Sequence, residues 1–354
     1  MTHPYDSLPN RSFWSRSVAN GFDASDIVKA IDPLLRRDDR VMSAGSCFAS
    51  NLVPYLEGAG FSYVRTERLH VAFAKLPGEA LGYDNFSARY GNIYTARQML
   101  QLIQRTKHQF KPHEDRWISS GAIIDPFRPG LRYPARSNPE FDALTAQHLA
   151  AVHSAISQAT VLIFTLGLTE AWMSRDDGAV FPACPGTVGG TFDPARHVFV
   201  NFSVAEVAAD LGALIEALRS INSDLAIILT VSPVPLVATA SGQHVLSATT
   251  YSKAVLRVAA EEMTRACEAV TYFPAYEIVT GPQAPADFFA ADKRNVSKTA
   301  VDLVMAAFLK RCEAPDGTTR VTVEASPDLR GLSRAIVEAE CEEAMSDQVK
   351  AKSR

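Results

Sequence analysis

The chain has 354 residues, 47% hydrophobic and 21% charged, with a formal net charge of −4. This composition is typical of a globular protein, and the charge gives no general attraction to nucleic acid or to acidic membranes. The scattered cysteines form no C-x-x-C pair, which argues against a disulfide framework and a structural zinc site; they are Cys47, Cys184, Cys267, Cys312 and Cys341.

Strands and helices are expected to alternate along the chain after an N-terminal arm at residues 1–35. Apolar runs predict strands at 40–45, 160–167, 225–233 and within 270–279. Periodic apolar patterns predict helices at 47–60, 94–106, 141–159, 203–221, 250–268 and 297–312. This alternation predicts an α/β fold, a three-layer α/β/α sandwich whose central parallel sheet has about five strands.

The main domain is expected to span residues 36–312. Stretches rich in Pro and Gly predict irregular insertions at about 107–140 and 174–197. Residues 313–354 predict a partly helical extension. We find no apolar leader and no run long enough to cross a membrane, and we expect a cytoplasmic protein.

Parallel sheets bind ligands beyond the carboxyl ends of their strands. The first such position is Ser46–Cys47, within "VMSAGSCFASNL". The N–H groups and dipole of the following helix would stabilise a Cys47 thiolate, although a buried cysteine is also a common inert core residue. Ser46 is the second candidate nucleophile or, alternatively, the N-cap of the helix.

"GSCFA" at 45–49 resembles the signature of the GSCFA-motif family, a divergent branch of the SGNH (GDSL-like) hydrolases. Further blocks resemble the family over roughly residues 40–310: "RYGNIYTARQMLQL", "DPFRP", "FTLGLTEAW", "NFSV", "TVSPVPLVAT", "TTYSKAVLR" and "YFPAYEIVTGP". The resemblance implies the SGNH (flavodoxin-like) fold and acyl-ester chemistry.

The resemblance also implies roles for single residues. Cys47 falls on the nucleophile of the Gly-Asp-Ser turn, and Ser46 falls where the Asp stands. Gly91, followed by Asn92, resembles the second-block glycine whose N–H helps to form the oxyanion hole. Gly167, with Thr169 and Glu170, resembles the third block.

The last block, Asp-x-x-His, corresponds to Asp292-Lys293-Arg294-Asn295. Asn295 therefore stands where a histidine is expected, and an amide cannot accept and return a proton near neutral pH. His197 or His244 could replace the base, although each could equally be structural. Asn295 could instead cap the closing helix, as could Ser297.

Glu170 has two readings, a site acid or one half of an ion pair with an arginine. The resemblance implies an esterase or O-acyltransferase with a covalent acyl-enzyme on Cys47 or Ser46 and a small-molecule or carbohydrate acyl substrate. No metal or organic cofactor and no nucleic-acid partner are implied. The alternative is a non-catalytic binding or assembly protein that has lost the base.

Overall fold

The computed structural model describes residues 3–28, 33–68, 83, 85–119, 121–131 and 134–313, with Cys47 described by its backbone. The extension expected beyond residue 313 lies outside this range. In the part of the chain that is described, no helix combines the length and the apolar character that crossing a bilayer requires.

The central sheet contains five parallel strands, which confirms the predicted α/β architecture. In the part of the chain that is described, its strands are β1 (Arg40–Gly45), β2 (Ser62–Tyr63), β5 (Val161–Leu166), β9 (Ala226–Val231) and β10 (Val270–Phe273). Their order is β10-β9-β5-β1-β2. All six residues of β5 are buried, because helices cover both faces of the sheet. The other strands of the described residues are β3 (Trp117–Ser119), β4 (Ala122–Ile124), β6 (Glu170–Ser174), β7 (Val180–Phe181) and β8 (His197–Asn201).

Four of the six predicted helices, at 94–106, 141–159, 203–221 and 297–312, begin and end within three residues of the predicted positions. The helix predicted at 250–268 begins earlier, at Val245. The predicted capping box forms at the start of the helix Val204–Arg219, where the Ser203 hydroxyl and the Glu206 carboxylate each accept an N–H of the other residue. The bounds are α1 (Trp14–Ser17), α2 (Cys47–Ser50), α3 (Leu52–Gly58), α4 (Ala96–Thr106), α5 (Asn138–Gln158), α6 (Val204–Arg219), α7 (Val245–Ala266), α8 (Ala275–Thr280) and α9 (Lys298–Leu309).

The two stretches predicted as irregular insertions contain short strands. A hairpin of β3 and β4 lies inside the first stretch. The strand β7 lies inside the second stretch and pairs with β6, which also pairs with β8. Strands of two or three residues are too short to give a recognisable period in the sequence.

The carboxyl ends of β1 and β5 meet a segment that crosses the edge of the sheet. The N–H of Ile93 donates to the carbonyl of Gly45, at 2.8 Å. The carbonyl of Tyr94 accepts the N–H groups of Gly167 and Leu168, at 3.1 and 2.9 Å. These bonds hold the loop after β5 and the turn after β1 against the same stretch of backbone.

A buried ionic cluster lies elsewhere in the domain. His148, in α5, donates through Nδ1 to Glu67 Oε2 at 2.7 Å, and Arg128 pairs with Asp125 at 2.8 Å. Burial and the nearby Arg128 charge lower the pKa of His148 to about 4. His148 is therefore a neutral core residue near pH 7.

We expect the stability of the cluster to depend on pH. An unfolded histidine binds its proton near pH 6.5, whereas folded His148 does so near pH 4. The free energy of unfolding should therefore fall by about 3 kcal/mol as pH drops from about 6.5 to 4. For His148→Gln, the free energy of unfolding should fall less steeply with decreasing pH, as measured by urea titrations at several pH values across this range.

The exposed His153 of the same helix is the control. The free energy of unfolding of His153→Gln should depend on pH as steeply as that of the wild-type protein. Equal slopes for both variants would contradict the assignment.

Gly45 should be intolerant of a side chain. Its φ is +143°, and an added Cβ would collide with the Thr165 carbonyl and lie 2.8 Å from Thr165 Cβ. Gly45→Ala should therefore lower the free energy of unfolding by about 3 kcal/mol. Gly212→Ala inside α6 meets nothing within 4 Å and should raise it by about 0.5–1 kcal/mol. Chemical denaturation of both variants measures the difference, and a neutral Gly45→Ala would overturn this account.

Candidate functional site

The turn after β1 places Ser46 at the carboxyl edge of the sheet. Ser46 is the N-cap of α2, but its side chain makes no capping bond. The residue is 4% exposed, and no residue in the described ranges hydrogen-bonds to its Oγ. A buried hydroxyl without a partner is costly, so this one is suited to a group supplied by a ligand.

The helix after the turn is shorter than the sequence indicates. The predicted helix at 47–60 is divided at Asn51 into α2, of four residues, and α3. A single helical turn has a small dipole. The dipole of α2 therefore contributes less to a Cys47 thiolate than we expected.

Gly167 packs directly against Ser46. A Cβ at Gly167 would lie 3.3 Å from Ser46 Cβ and 3.0 Å from the Tyr94 carbonyl oxygen. The lack of a side chain allows the loop after β5 to approach the turn. The structure thus brings together Ser46 and Gly167, two residues of the predicted site.

Gly91 and Asn92 lie in the segment that crosses this edge. Gly91 adopts a left-handed φ of +66°, which favours glycine. Its N–H donates to no residue in the described part of the chain. Asn92 is buried, and its carbonyl accepts Gln98 Nε2 at 2.9 Å.

A buried lysine, which sequence reasoning missed, reaches the same loop. Lys253 in α7 is 1% exposed, and its Nζ donates to the Gly167 carbonyl at 2.7 Å. The residue before Lys253 also contacts this loop: Ser252 Oγ accepts a hydrogen bond from the N–H of Thr169 at 3.0 Å. Lysine is almost never fully buried unless paired. The signal in the sequence that could have identified a buried lysine was the position of Lys253 within the apolar helical pattern of "TTYSKAVLR".

Thr169 and Glu170 use their side chains differently. Thr169 Oγ1 donates to Asn201 Oδ1 at 2.7 Å and is fully buried. Glu170 accepts a 2.7 Å bond from Thr239 Oγ1, and burial raises the pKa of its carboxyl above the usual value. Within the described residues Glu170 pairs with no arginine, so the ion-pair alternative is wrong.

A cleft of 230 Å³ opens beside Leu168 and Glu170. Its walls are mostly apolar and include Trp172, Phe181, Phe199, Leu236 and Ala238. Cys184 also lines the cleft, but burial raises the pKa of its thiol to about 11. Cys184 is therefore a thiol near neutral pH and a poor nucleophile.

The loop before α9 is closed on itself. Asp292 Oδ1 accepts the N–H groups of Arg294 and Asn295, both at 3.0 Å, and Oδ2 accepts Asn295 Nδ2 at 2.7 Å. The side chains of Asp292 and Asn295 therefore hydrogen-bond within their own loop. Ser297 caps α9, so the alternative in which Asn295 is the cap is wrong.

Neither candidate histidine reaches Ser46 Oγ. His197 is buried in β8, where Nε2 lies 3.0 Å from Glu114 Oε2 and Nδ1 accepts the N–H of Asp193. His244 is exposed and caps α7 through Nδ1. These bonds give both residues structural roles and give no support to either as the base.

In the described ranges, no three His, Cys, Asp or Glu side chains converge as metal ligands would.

The sequence matches the model of the GSCFA family over residues 40–308. No curated protein matches. Among solved structures, the chain is similar to one described as a "putative GDSL-like lipase" from Parabacteroides merdae, at 12% identity and a TM-score of 0.32. That match covers 79% of this chain and 98% of the other.

Proposed function

Because this chain belongs to the GSCFA family, we propose that it performs acyl-ester chemistry at the turn formed by Gly45, Ser46 and Cys47. The reaction is ester hydrolysis or O-acyl transfer of a small acyl group, with a carbohydrate as one acceptor class. The observation that carries the proposal is the buried hydroxyl of Ser46 at the carboxyl edge of the sheet, which has no hydrogen-bond partner among the described residues.

Cys47 is the nucleophile in this proposal. A serine hydroxyl needs an adjacent base, and no base among the described residues hydrogen-bonds to Ser46 Oγ. A thiol needs less help, because the thiolate forms near neutral pH when positive charge is close. Ser46 then has the role of donating a hydrogen bond to the bound ester.

Lys253 takes the place of the absent histidine. Its ammonium donates a hydrogen bond to the carbonyl of Gly167. Gly167 in turn packs against Ser46 through its Cα, so the positive charge lies near the turn. Such a charge favours the thiolate over the thiol. Burial also makes a lysine easier to deprotonate, which suits it to proton transfer.

The proposed reaction has two steps. The Cys47 thiolate attacks the ester carbonyl carbon, the C–O bond breaks, and the leaving alkoxide takes a proton from the Lys253 ammonium. Water or an acceptor hydroxyl then attacks the thioester and gives its proton to the neutral Lys253 amine, while the C–S bond breaks. The unused N–H of Gly91 is suited to stabilising the oxyanion in both steps.

A second function is favoured by the closed loop of Asp292 and Asn295. Among the described residues, the donors to the Asp292 carboxylate are those of its own loop, and none of them is a base that Asp292 could orient. A binding or assembly protein that keeps the turn and the cleft would tolerate this arrangement. The two functions differ in whether the protein turns over an ester.

Activated acyl esters test the catalytic proposal. Cys47→Ala should lower kcat/KM for p-nitrophenyl acetate at least about a hundredfold, because no covalent intermediate can form. Ser46→Ala should lower it about tenfold through the loss of one hydrogen bond. Cys267→Ala, at the end of α7 and outside the turn and the cleft-lining residues, is the matched control and should keep wild-type turnover. Full turnover in both Cys47→Ala and Ser46→Ala would end the covalent proposal, and an inactive wild type would favour the binding function.

The charge of Lys253 should be visible in the reactivity of Cys47. Lys253→Met should slow iodoacetamide alkylation of Cys47 at pH 7 about tenfold, because the pKa of the thiol rises by about one unit. Lys253→Arg should restore most of the rate. Peptide mass spectrometry reads Cys47 and Cys184 in the same digest, and Cys184 should be unchanged. An unaltered Cys47 rate in a folded Lys253→Met protein would remove Lys253 from the mechanism.

A further inference from the structure

The residues that line the cleft beside the turn carry one negative charge and no positive charge. Among its lining residues, all within the described part of the chain, Glu170 is the one carboxylate, and no lysine, arginine or histidine is present. The rest of the wall is largely apolar and aromatic. A ligand with a carboxylate or phosphate in this cleft would lose hydration and would meet no cationic side chain among these lining residues.

Among the described residues, no cationic side chain pairs with the Glu170 carboxylate. Its residue is 9% exposed, and Oε1 accepts a bond from a neutral hydroxyl, that of Thr239. No residue in the described ranges donates to Oε2. A buried carboxylate without a cation is costly, and the raised pKa of Glu170 reports that cost.

The aromatic walls suit the same kind of ligand. The Trp172 and Phe199 rings pack edge to face with their centroids 5.8 Å apart, and both line the cleft. Aromatic rings attract cations, above all alkylammonium groups, which are easily desolvated. A small metal cation would need several oxygen ligands, whereas the cleft provides one carboxylate and a few neutral oxygens.

We infer that this cleft binds the alkylammonium group of a cationic substrate, with Glu170 as its counter-charge and Trp172 and Phe199 as its walls. The inference rests on the proposed acyl-ester function, since it names the class of ester or acceptor that this site takes. Binding of the cationic group itself needs no chemistry at Cys47.

Equilibrium binding of a matched pair of alcohols tests the inference. Choline and 3,3-dimethylbutan-1-ol have nearly the same shape, but only choline is charged. Choline should bind the wild-type protein at least about tenfold more tightly, as read by isothermal titration and by ligand-observed NMR. Glu170→Gln, which retains the bond with Thr239, should reduce that ratio to about one.

Glu262→Gln is the charge-matched control. Glu262 is exposed on α7, and its replacement should leave the choline preference unchanged. Equal affinities of the two alcohols for the wild-type protein, or no binding of either, would overturn the inference whatever Glu170→Gln does. Choline binding tests the inference, whereas turnover of p-nitrophenyl acetate by the wild-type protein and by Cys47→Ala tests the acyl-ester chemistry. Loss of choline binding and loss of acyl-ester chemistry are therefore separate results.

Discussion

The close approach of Gly45 to Thr165 is the constraint on which the site depends. The two residues are partners in the register of β1 and β5, and there is no room for a Cβ between them. The positive φ of Gly45 redirects the chain at the end of β1. Ser46 is thereby buried against Gly167, and Cys47 begins the following helix.

The electrostatics of the site follow from what surrounds this turn. The expected helix dipole is reduced because α2 ends after four residues, and the Asp292 carboxylate is used within its own loop. Lys253 is the positive group whose contact with Gly167 is described. In a low-dielectric interior a single charge has a large effect on the groups around it, which is why we propose this lysine for the role of the expected histidine.

The nucleophile turn and the cleft have complementary properties. The turn combines a buried hydroxyl with the loop that the Lys253 ammonium contacts, whereas the cleft combines aromatic walls with a carboxylate that pairs with no cation among the described residues. In the two proposals, the turn holds an anionic intermediate and the cleft holds a cationic group. The proposed chemistry and the proposed ligand class therefore make no conflicting demands on the same residues.

The sequence by itself determined the main strands, the capped helices and the position of the turn. These features depend on local patterns, such as the apolar run of β5 and the Ser203–Glu206 capping box. The strand β2 was not predicted, because two residues give no recognisable period. The three-stranded sheet of β6, β7 and β8 was not predicted either, because it forms by pairing between residues that are far apart in the chain.

Only the tertiary structure decided which side chains share the site. His197 and His244 were candidates from their chain positions, but the bonds to Glu114 and at the start of α7 are fixed by packing. The sequence pattern shows Lys253 as one residue of a helix. Its contact with Gly167 depends on the pairing of β1 with β5 and on the packing of α7. Composition and spacing describe neighbours along the chain, whereas burial and proximity arise from contacts between residues far apart in it.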